Sequence, residues 1–233
     1  MVERPGGSGR GASGRLVLPG GVRLVVKRMR RGGLLARIWR DRFPGTARLL
    51  GNLSVPMEAA RRGVPTAAPA AMLIEIGPIG LDRAWMAVDE IPGAEDLLTR
   101  LSGPRPPARE EIAELLRAVR RMHDAGVEHR DLNLANLLLS SDAGAHPEAW
   151  IVDLDRARLF DAPLPVRKRR AALLRMERSY LKSFGDLGPL PAPRGPTWID
   201  AYAAGDRTLA RALETGNRVA RASLAIHRLG WRK

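Results

Sequence analysis

The first ninety or so residues read as short apolar runs broken by turn residues, and the remainder as longer stretches with helical spacing. In "RLVLPGGVRLVVKRM", from Arg15 to Met29, two apolar runs flank Pro19-Gly20-Gly21, which predicts a β-hairpin whose second strand ends at Lys27. Leu34 to Leu53 is helical in pattern but mixed in character. Ser54 stands where a cap would open a short helix through Arg62, with Pro56 in its first turn. "AMLIEIG" and "AWMAVDEI" predict two strands around a turn at Gly80 to Arg83. "PGAEDLLTRL" opens a helix that "PRPPAR" breaks. From Arg109 to Asp124, Ile112, Leu115, Leu116, Val119 and Met122 fall on one stripe at helical spacing, and Gly126 stands where such a helix ends.

After that helix, "GVEHRDLNLANLLL" runs polar groups into an aliphatic strand. A turn at "SSDAGAHPE" and the strand "AWIVDLD" complete a predicted hairpin. From Pro165 onward the pattern is helical, apart from the proline-rich "GPLPAPRGP". No internal repeat is present. The expected architecture is a β-rich lobe over residues 1–91, a linker near Glu90 to Ala94, and a helical lobe over residues 92–233, with a ligand held between the lobes.

The chemistry concentrates at the second hairpin. Asp131 and Asn136 lie five residues apart, and Asp153 follows on the next strand, so three oxygen-bearing side chains converge on one end of that hairpin. Phosphoryl transfer asks for this set: oxygen donors for Mg²⁺, a group to receive the acceptor's proton, and charge neutralisation on the phosphates. Asn136 and Asp153 fit the metal, Asp131 fits the acceptor hydroxyl, and Lys27 fits the nucleotide phosphates. Spelled out, H-R-D-L-N-L-A-N is the catalytic-loop signature of protein-kinase-like enzymes. His129 reads as a brace of that loop. The metal strand reads Asp153-Leu154-Asp155 in place of D-F-G, no A-P-E follows, and about ten residues separate it from the next helix. That leaves no room for a regulatory activation loop and points to a small-molecule kinase.

Composition narrows the setting. The formal net charge is +14, with basic residues gathered in the first 48 residues, between Arg156 and Lys182, and at the C-terminus. Such faces attract nucleic acid, anionic lipid or phosphorylated molecules. Aromatic residues make up 4% of the chain and no recognition motif appears, which argues against nucleic acid. The absence of cysteine rules out disulfides and thiolate metal sites. No signal-peptide pattern and no long apolar span is present, so the expected location is cytoplasmic.

These motifs together resemble the lipopolysaccharide kinase family, Kdo kinase and WaaP relatives, over most of the chain. "GRGA" at Gly9 to Ala12 is similar to its glycine loop. "VVKRMRRGGLLARIWRDRF" is similar to its basic strand and following helix, "GVPTAAPA" to its connecting segment, and "DEIPGAEDL" to its hinge. "HRDLNLANLLL" and "IVDLDRARL" resemble its catalytic core, and Arg175 to Lys182 its downstream basic helix. The resemblance implies an α+β, bilobal protein-kinase-like fold with a small β-rich N-lobe and a mainly helical C-lobe. It implies catalytic roles for Lys27, Asp131 and Asn136, and a metal role for Asn136 and Asp153. A nucleotide site would draw on Gly9, Arg10, Gly11, Lys27, Glu58, Glu90 and Ile91, with Glu58 as the acid paired to the strand lysine. Arg130, Asn133, Arg175, Arg178 and Lys182 are candidates for the acceptor. The implied reaction transfers the γ-phosphate of ATP, with Mg²⁺, to a sugar hydroxyl of the lipopolysaccharide inner core, Kdo in the first instance, at the cytoplasmic face of the inner membrane. The alternatives are a kinase of another small molecule or of protein, similar to aminoglycoside or RIO kinases, and a nucleotide-binding pseudokinase.

Overall fold

A computed structural model of the chain describes residues 2–3, 13–30, 41–140, 148–185 and 196–215. The chain divides into two compact units, Met1–Arg61 with Thr66–Pro92, and Arg62–Pro65 with Gly93–Lys233.

The first unit is built on an antiparallel sheet. Its strands are β1 (Val2–Glu3), β2 (Ser13–Val17), β3 (Arg23–Arg28), β4 (Phe43–Pro44), β5 (Pro69–Glu75) and β6 (Leu81–Asp89). β6 is central, pairing β3, β4 and β5, while β2 joins β3 to β1. The β2–β3 hairpin closes with Leu18 N–H donating to the Val22 carbonyl at 2.9 Å, across two glycines at φ +88° and +82°. Period-2 alternation divides the faces of β6: Asp82, Ala84 and Met86 are buried on one side, and Trp85 and Ala87 are more open on the other. Met29, Phe43, Leu49, Ala84 and Met86 form the core of the buried side, so α1 (Ala47–Arg61), which carries Leu49, covers that face. Each of the larger side chains in it contributes about 1.5–3 kcal/mol by leaving water.

Three sequence expectations are corrected in this unit. The helix begins at Ala47, so Ser54 and Pro56 lie inside it. Ser54 does not cap; its hydroxyl donates back to the Gly51 carbonyl at 3.3 Å. Pro56 cannot donate to the Asn52 carbonyl four residues earlier. Burial of Leu49, Pro56 and Ala59 on the core face outweighs that missing bond. The segment 41–46 carries strand β4 in place of helix, and residues 31–40 lie outside the described chain. The turn between β5 and β6 falls at Ile76 to Gly80, and Leu81 to Arg83 already belong to β6.

The second unit is mainly helical. β7 (Ala94–Asp96) precedes α2 (Leu97–Ser102), so the stretch read as opening a helix first makes a strand. Asp96 then caps α2 by accepting the Thr99 N–H at 2.9 Å. α3 spans Arg109–Asp124 as its apolar stripe predicts, with Glu111 accepting the Ala108 N–H at 2.7 Å. Gly126 ends it at φ +74°, where a Cβ would meet the Phe160 carbonyl oxygen at 2.3 Å. β8 (Val127–Glu128) pairs β11 (Arg158–Leu159), and β9 (Leu137–Ser140) lies between β7 and β10 (Glu148–Ile151). The predicted hairpin of β9 and β10 is present, with Leu137 opposite Ile151; its turn falls outside the described residues. α4 (Val166–Phe184), α5 (Pro196–Ala203) and α6 (Arg207–Glu214) follow. Arg62–Pro65 belongs with this unit: Arg62 donates to the carbonyls of Ala125 and Phe160, and Ile151 N–H donates to the Pro65 carbonyl.

Candidate functional site

The polar loop between β8 and β9 is held by a circuit of hydrogen bonds through His129. This side chain is 2% exposed. Its Nδ1 accepts the Asp131 N–H at 3.2 Å, so the ring proton sits on Nε2, which donates to the Val152 carbonyl at 3.1 Å. One ring therefore ties the loop to the end of β10, one residue before Asp153. Burial pushes the His129 pKa below its usual value, partly offset by its bond to Val152 and by the charges of Asp153 and Asp131. The neutral form that this circuit needs is thus the favoured one. His129 braces the loop, as its position in the sequence suggests.

The loop closes further on the Asp131 carbonyl. It accepts from the side-chain amides of both Asn133 and Asn136, each at 2.9 Å. A carbonyl only accepts, so the nitrogen of each amide must face it. For Asn136 this leaves Oδ1 as a candidate oxygen ligand. For Asn133 it does not, because its Oδ1 accepts the Ala135 N–H at 2.9 Å. Asn133, a candidate for the acceptor, has both ends of its amide engaged within the loop. The Asp131 and Asp153 side chains are exposed. Asp153 adopts a left-handed conformation at φ 67°, ψ 41°, which costs a non-glycine residue about 1–2 kcal/mol and turns the chain sharply after β10. The backbone carbonyl of Asn136 accepts the Val152 N–H at 3.0 Å, which brings Asn136 beside Asp153. A carboxylate and an amide oxygen are the hard donors that Mg²⁺ prefers, and this pair fits it.

Behind the loop runs α4. Arg175 donates to the His129 carbonyl at 3.1 Å, and Ser179 accepts the Leu134 N–H at 3.3 Å. Burial holds the Arg175 pKa below the usual arginine value, against the pull of Glu128 and Asp131; Arg178 and Arg130 also press it down. These groups thus lie within electrostatic reach of one another. Glu128 pairs with Lys168 at 2.8 Å. Arg130 and Lys182 are exposed and Arg178 is half-buried.

The basic run Arg167 to Arg170 reads in the sequence as a solvated face, and Arg169 departs from it. This residue is 6% exposed and donates to the Leu164 carbonyl at 2.6 Å, to Asp124 at 2.5 Å and to the Tyr202 hydroxyl at 3.4 Å. The same hydroxyl shares a 2.7 Å hydrogen bond with His123 Nδ1. His123 is fully buried, and its pKa is lowered to about 3, first by burial and then by the charges of Arg169, Arg175 and His129. No spacing rule singles out His123 or Tyr202. The only sequence signal is that position 123 falls on the apolar stripe of α3.

In the first unit, Lys27 lies on β3 opposite Met86. Glu58 lies on α1, where it pairs with Arg61 at 3.2 Å. Glu90 follows β6 and pairs with Arg15 at 2.8 Å; its N–H donates to the Arg23 carbonyl at 3.0 Å, and Ile91 comes next. Gly9, Arg10 and Gly11 lie outside the described residues, as do the side chain of Asp155 and the C-terminal segment 216–233.

The Lipopolysaccharide kinase (Kdo/WaaP) family matches over residues 2–191. A 3-deoxy-D-manno-octulosonic acid kinase of Xanthomonas oryzae pv. oryzae (strain PXO99A) is 32% identical over 184 residues, 76% of this chain and 69% of that protein. Its counterpart in Haemophilus influenzae (strain 86-028NP) is 27% identical over 170 residues, 71% of this chain and 68% of that one. The solved structure of WaaP in complex with acyl carrier protein aligns with a TM-score of 0.55 at 21% identity, covering 95% of this chain and 88% of that chain. That likeness shows the protein-kinase-like fold.

Proposed function

We propose that the chain, which belongs to the lipopolysaccharide kinase (Kdo/WaaP) family, transfers the γ-phosphate of ATP to a hydroxyl of an inner-core sugar of lipopolysaccharide, Kdo on lipid A. The observation that carries the reading is the hydrogen-bond circuit through His129, which fixes Asp131 and the neighbourhood of Asp153 with one neutral ring.

Asp131 receives the proton of the acceptor hydroxyl as its oxygen bonds to the γ-phosphorus. The bond between that phosphorus and the β,γ-bridging oxygen breaks, and ADP leaves. Asn136 and Asp153 would hold Mg²⁺, which when bound would neutralise charge on the phosphates. Lys27 pairs with the nucleotide phosphates, Glu58 supports it, and Glu90 and Ile91 border the base. Gly9, Arg10 and Gly11 complete this site by their likeness to the family's glycine loop. Arg130, Arg178 and Lys182 face the acceptor, which is acidic by the name of its sugar. Asn133 serves the loop instead, because both ends of its amide are engaged there.

ATP and a glycolipid acceptor meet at the cytoplasmic face of the inner membrane, so the protein works there as a peripheral enzyme. No helix among the described residues is long and apolar enough to cross a membrane. The exposed cations of α4, Arg167 and Lys182, supply attraction to an anionic surface, about 1 kcal/mol for each one near it.

The test is direct. The purified chain, given labelled ATP, Mg²⁺ and Kdo–lipid A, should phosphorylate the sugar, and Asp131→Asn should abolish transfer. Label appearing only on protein, or no transfer by the wild type at saturating ATP, would refute the reading.

A further inference from the structure

We propose that Arg175 and Ser179 are positioning residues: one helical turn apart on α4, they grip the backbone on either side of Asp131, at His129 and at Leu134, and so set where its carboxylate meets the acceptor. The inference rests on the transferase reading above and assigns Arg175 to the loop rather than to the acceptor.

The bonds of the loop divide into two kinds. Those from Asn133 and Asn136 to the Asp131 carbonyl, and from the Asp131 N–H to His129, run within the segment 129–136. They fix the loop's shape but not its place on the protein. Its place is set by bonds that leave the segment. The His129 ring and the Asn136 carbonyl both reach the backbone of Val152 on one side, and Arg175 and Ser179 reach the His129 carbonyl and the Leu134 N–H on the other.

The spacing of the two grips suits the helix. Residues i and i+4 lie on one face, about 6 Å apart along the axis. Two points of a short loop can therefore be held from one face of the helix. His129, Leu132 and Leu134 are buried while Arg130 and Asp131 are exposed, so the loop is seated on both sides of Asp131 and leaves that residue open. Arg175 suits the first grip because its guanidinium is half-buried, where water competes poorly, and is always charged. Displacement of a reacting group by about 1 Å costs on the order of a hundredfold in rate. Loosening this seat should therefore appear in turnover and not in substrate binding.

The full chain carrying Arg175→Ala, Ser179→Ala, both changes together, or Arg175→Lys is assayed with ATP, Mg²⁺ and Kdo–lipid A. Amide exchange is followed in parallel. Arg175→Ala should lower kcat by about thirty- to a hundredfold and Ser179→Ala by roughly three- to tenfold, with both KM values within about twofold of wild type. Arg175→Lys or added millimolar guanidinium should restore part of the loss, and the double variant should fall short of the product of the singles, as expected of one clamp. The Asp131 and Leu134 amides should exchange at least about tenfold faster in both single variants, with those of α3 unchanged. A raised acceptor KM at unchanged kcat would make Arg175 an acceptor contact and overturn the proposal. So would a fall in kcat accompanied by lost α3 protection without rescue, or unchanged exchange in the loop. If the wild type transfers nothing to Kdo–lipid A, the transferase reading fails while the exchange data still decide the clamp.

Discussion

Acidification should destabilise this protein most through one fully buried ring, His123. The ring is fully buried on α3, bonded to the Tyr202 hydroxyl, and faces Arg169 and Arg175 of α4 and His129. Its pKa is lowered to about 3 in the folded protein from 6.5 in the unfolded chain. The folded value is the lower one, so below pH 6.5 the unfolded chain takes up a proton that the folded chain refuses. The stability that this group supports is intact above that pH and declines as pH falls toward 3. Each pH unit well inside the window is worth about 1.4 kcal/mol. Between pH 6.5 and 4.5 the loss from His123 is therefore about 2 kcal/mol, allowing for the half-titrated start. In a chain of this size that lowers Tm by about 4–8 °C. His123→Phe keeps a ring in the site and removes the proton. It costs the bond to Tyr202 at every pH, so the informative quantity is the difference between two differences. Thermal unfolding of both proteins at pH 6.5 and 4.5 should show the variant losing about 2 kcal/mol less on acidification than the wild type. Carboxylates are present in both proteins and cancel. His129, whose pKa burial also lowers, leaves a residual slope of the same sign in both. Equal acid losses in the two proteins, within about 0.5 kcal/mol, would show that His123 is not held neutral by the fold.

Two stability predictions follow from neighbouring contacts. Arg169→Met keeps the buried stem but strands the Leu164 carbonyl, while Asp124, 46% exposed, is rehydrated; the expected cost is about 3 kcal/mol, read as a fall in Tm of roughly 6–12 °C. Gly126→Ala should be worse, because φ is +74° and the new Cβ would stand 2.3 Å from a backbone carbonyl oxygen that cannot swing aside. A loss above about 3 kcal/mol in a denaturant titration is expected, and a loss under 1 kcal/mol would refute the geometry.

The sequence exposes those features in which a pattern and a boundary coincide. α3 is legible to both ends because a proline-rich break precedes its apolar stripe and Gly126 follows it. The β9–β10 hairpin is legible because Leu137 to Leu139 and Ala149 to Ile151 can only be buried strand. Where two local rules compete with packing, the reading fails. Ser54 and Pro56 together spell a helix start, and in isolation they would make one. The helix instead starts at Ala47, because burial of Leu49, Pro56 and Ala59 together on the core face offsets the roughly 3 kcal/mol that a proline costs inside a helix.

The functional loop divides along a similar line, for a physical reason. Asp131 and Asn136 are close in the sequence because they must converge on one small volume, so a contiguous signature records them. Their supports face no such constraint. Arg175 and Ser179 reach the loop from 46 and 45 residues away, and Arg169 reaches Asp124 from 45. A helix rich in arginine looks the same in sequence whether a guanidinium points to water, to a carboxylate or to a loop carbonyl. Which of these holds depends on what packs against the helix. In α4 the arginines split: Arg167 is exposed, Arg169 is sealed against α3 and α5, and Arg175 is turned to the loop. The charge that composition alone assigns to the recognition of an anionic partner is thus spent in part on holding the fold. The attraction left for a membrane or an acceptor is smaller than +14 suggests, and it rests on residues such as Arg130 and Lys182 that stay exposed.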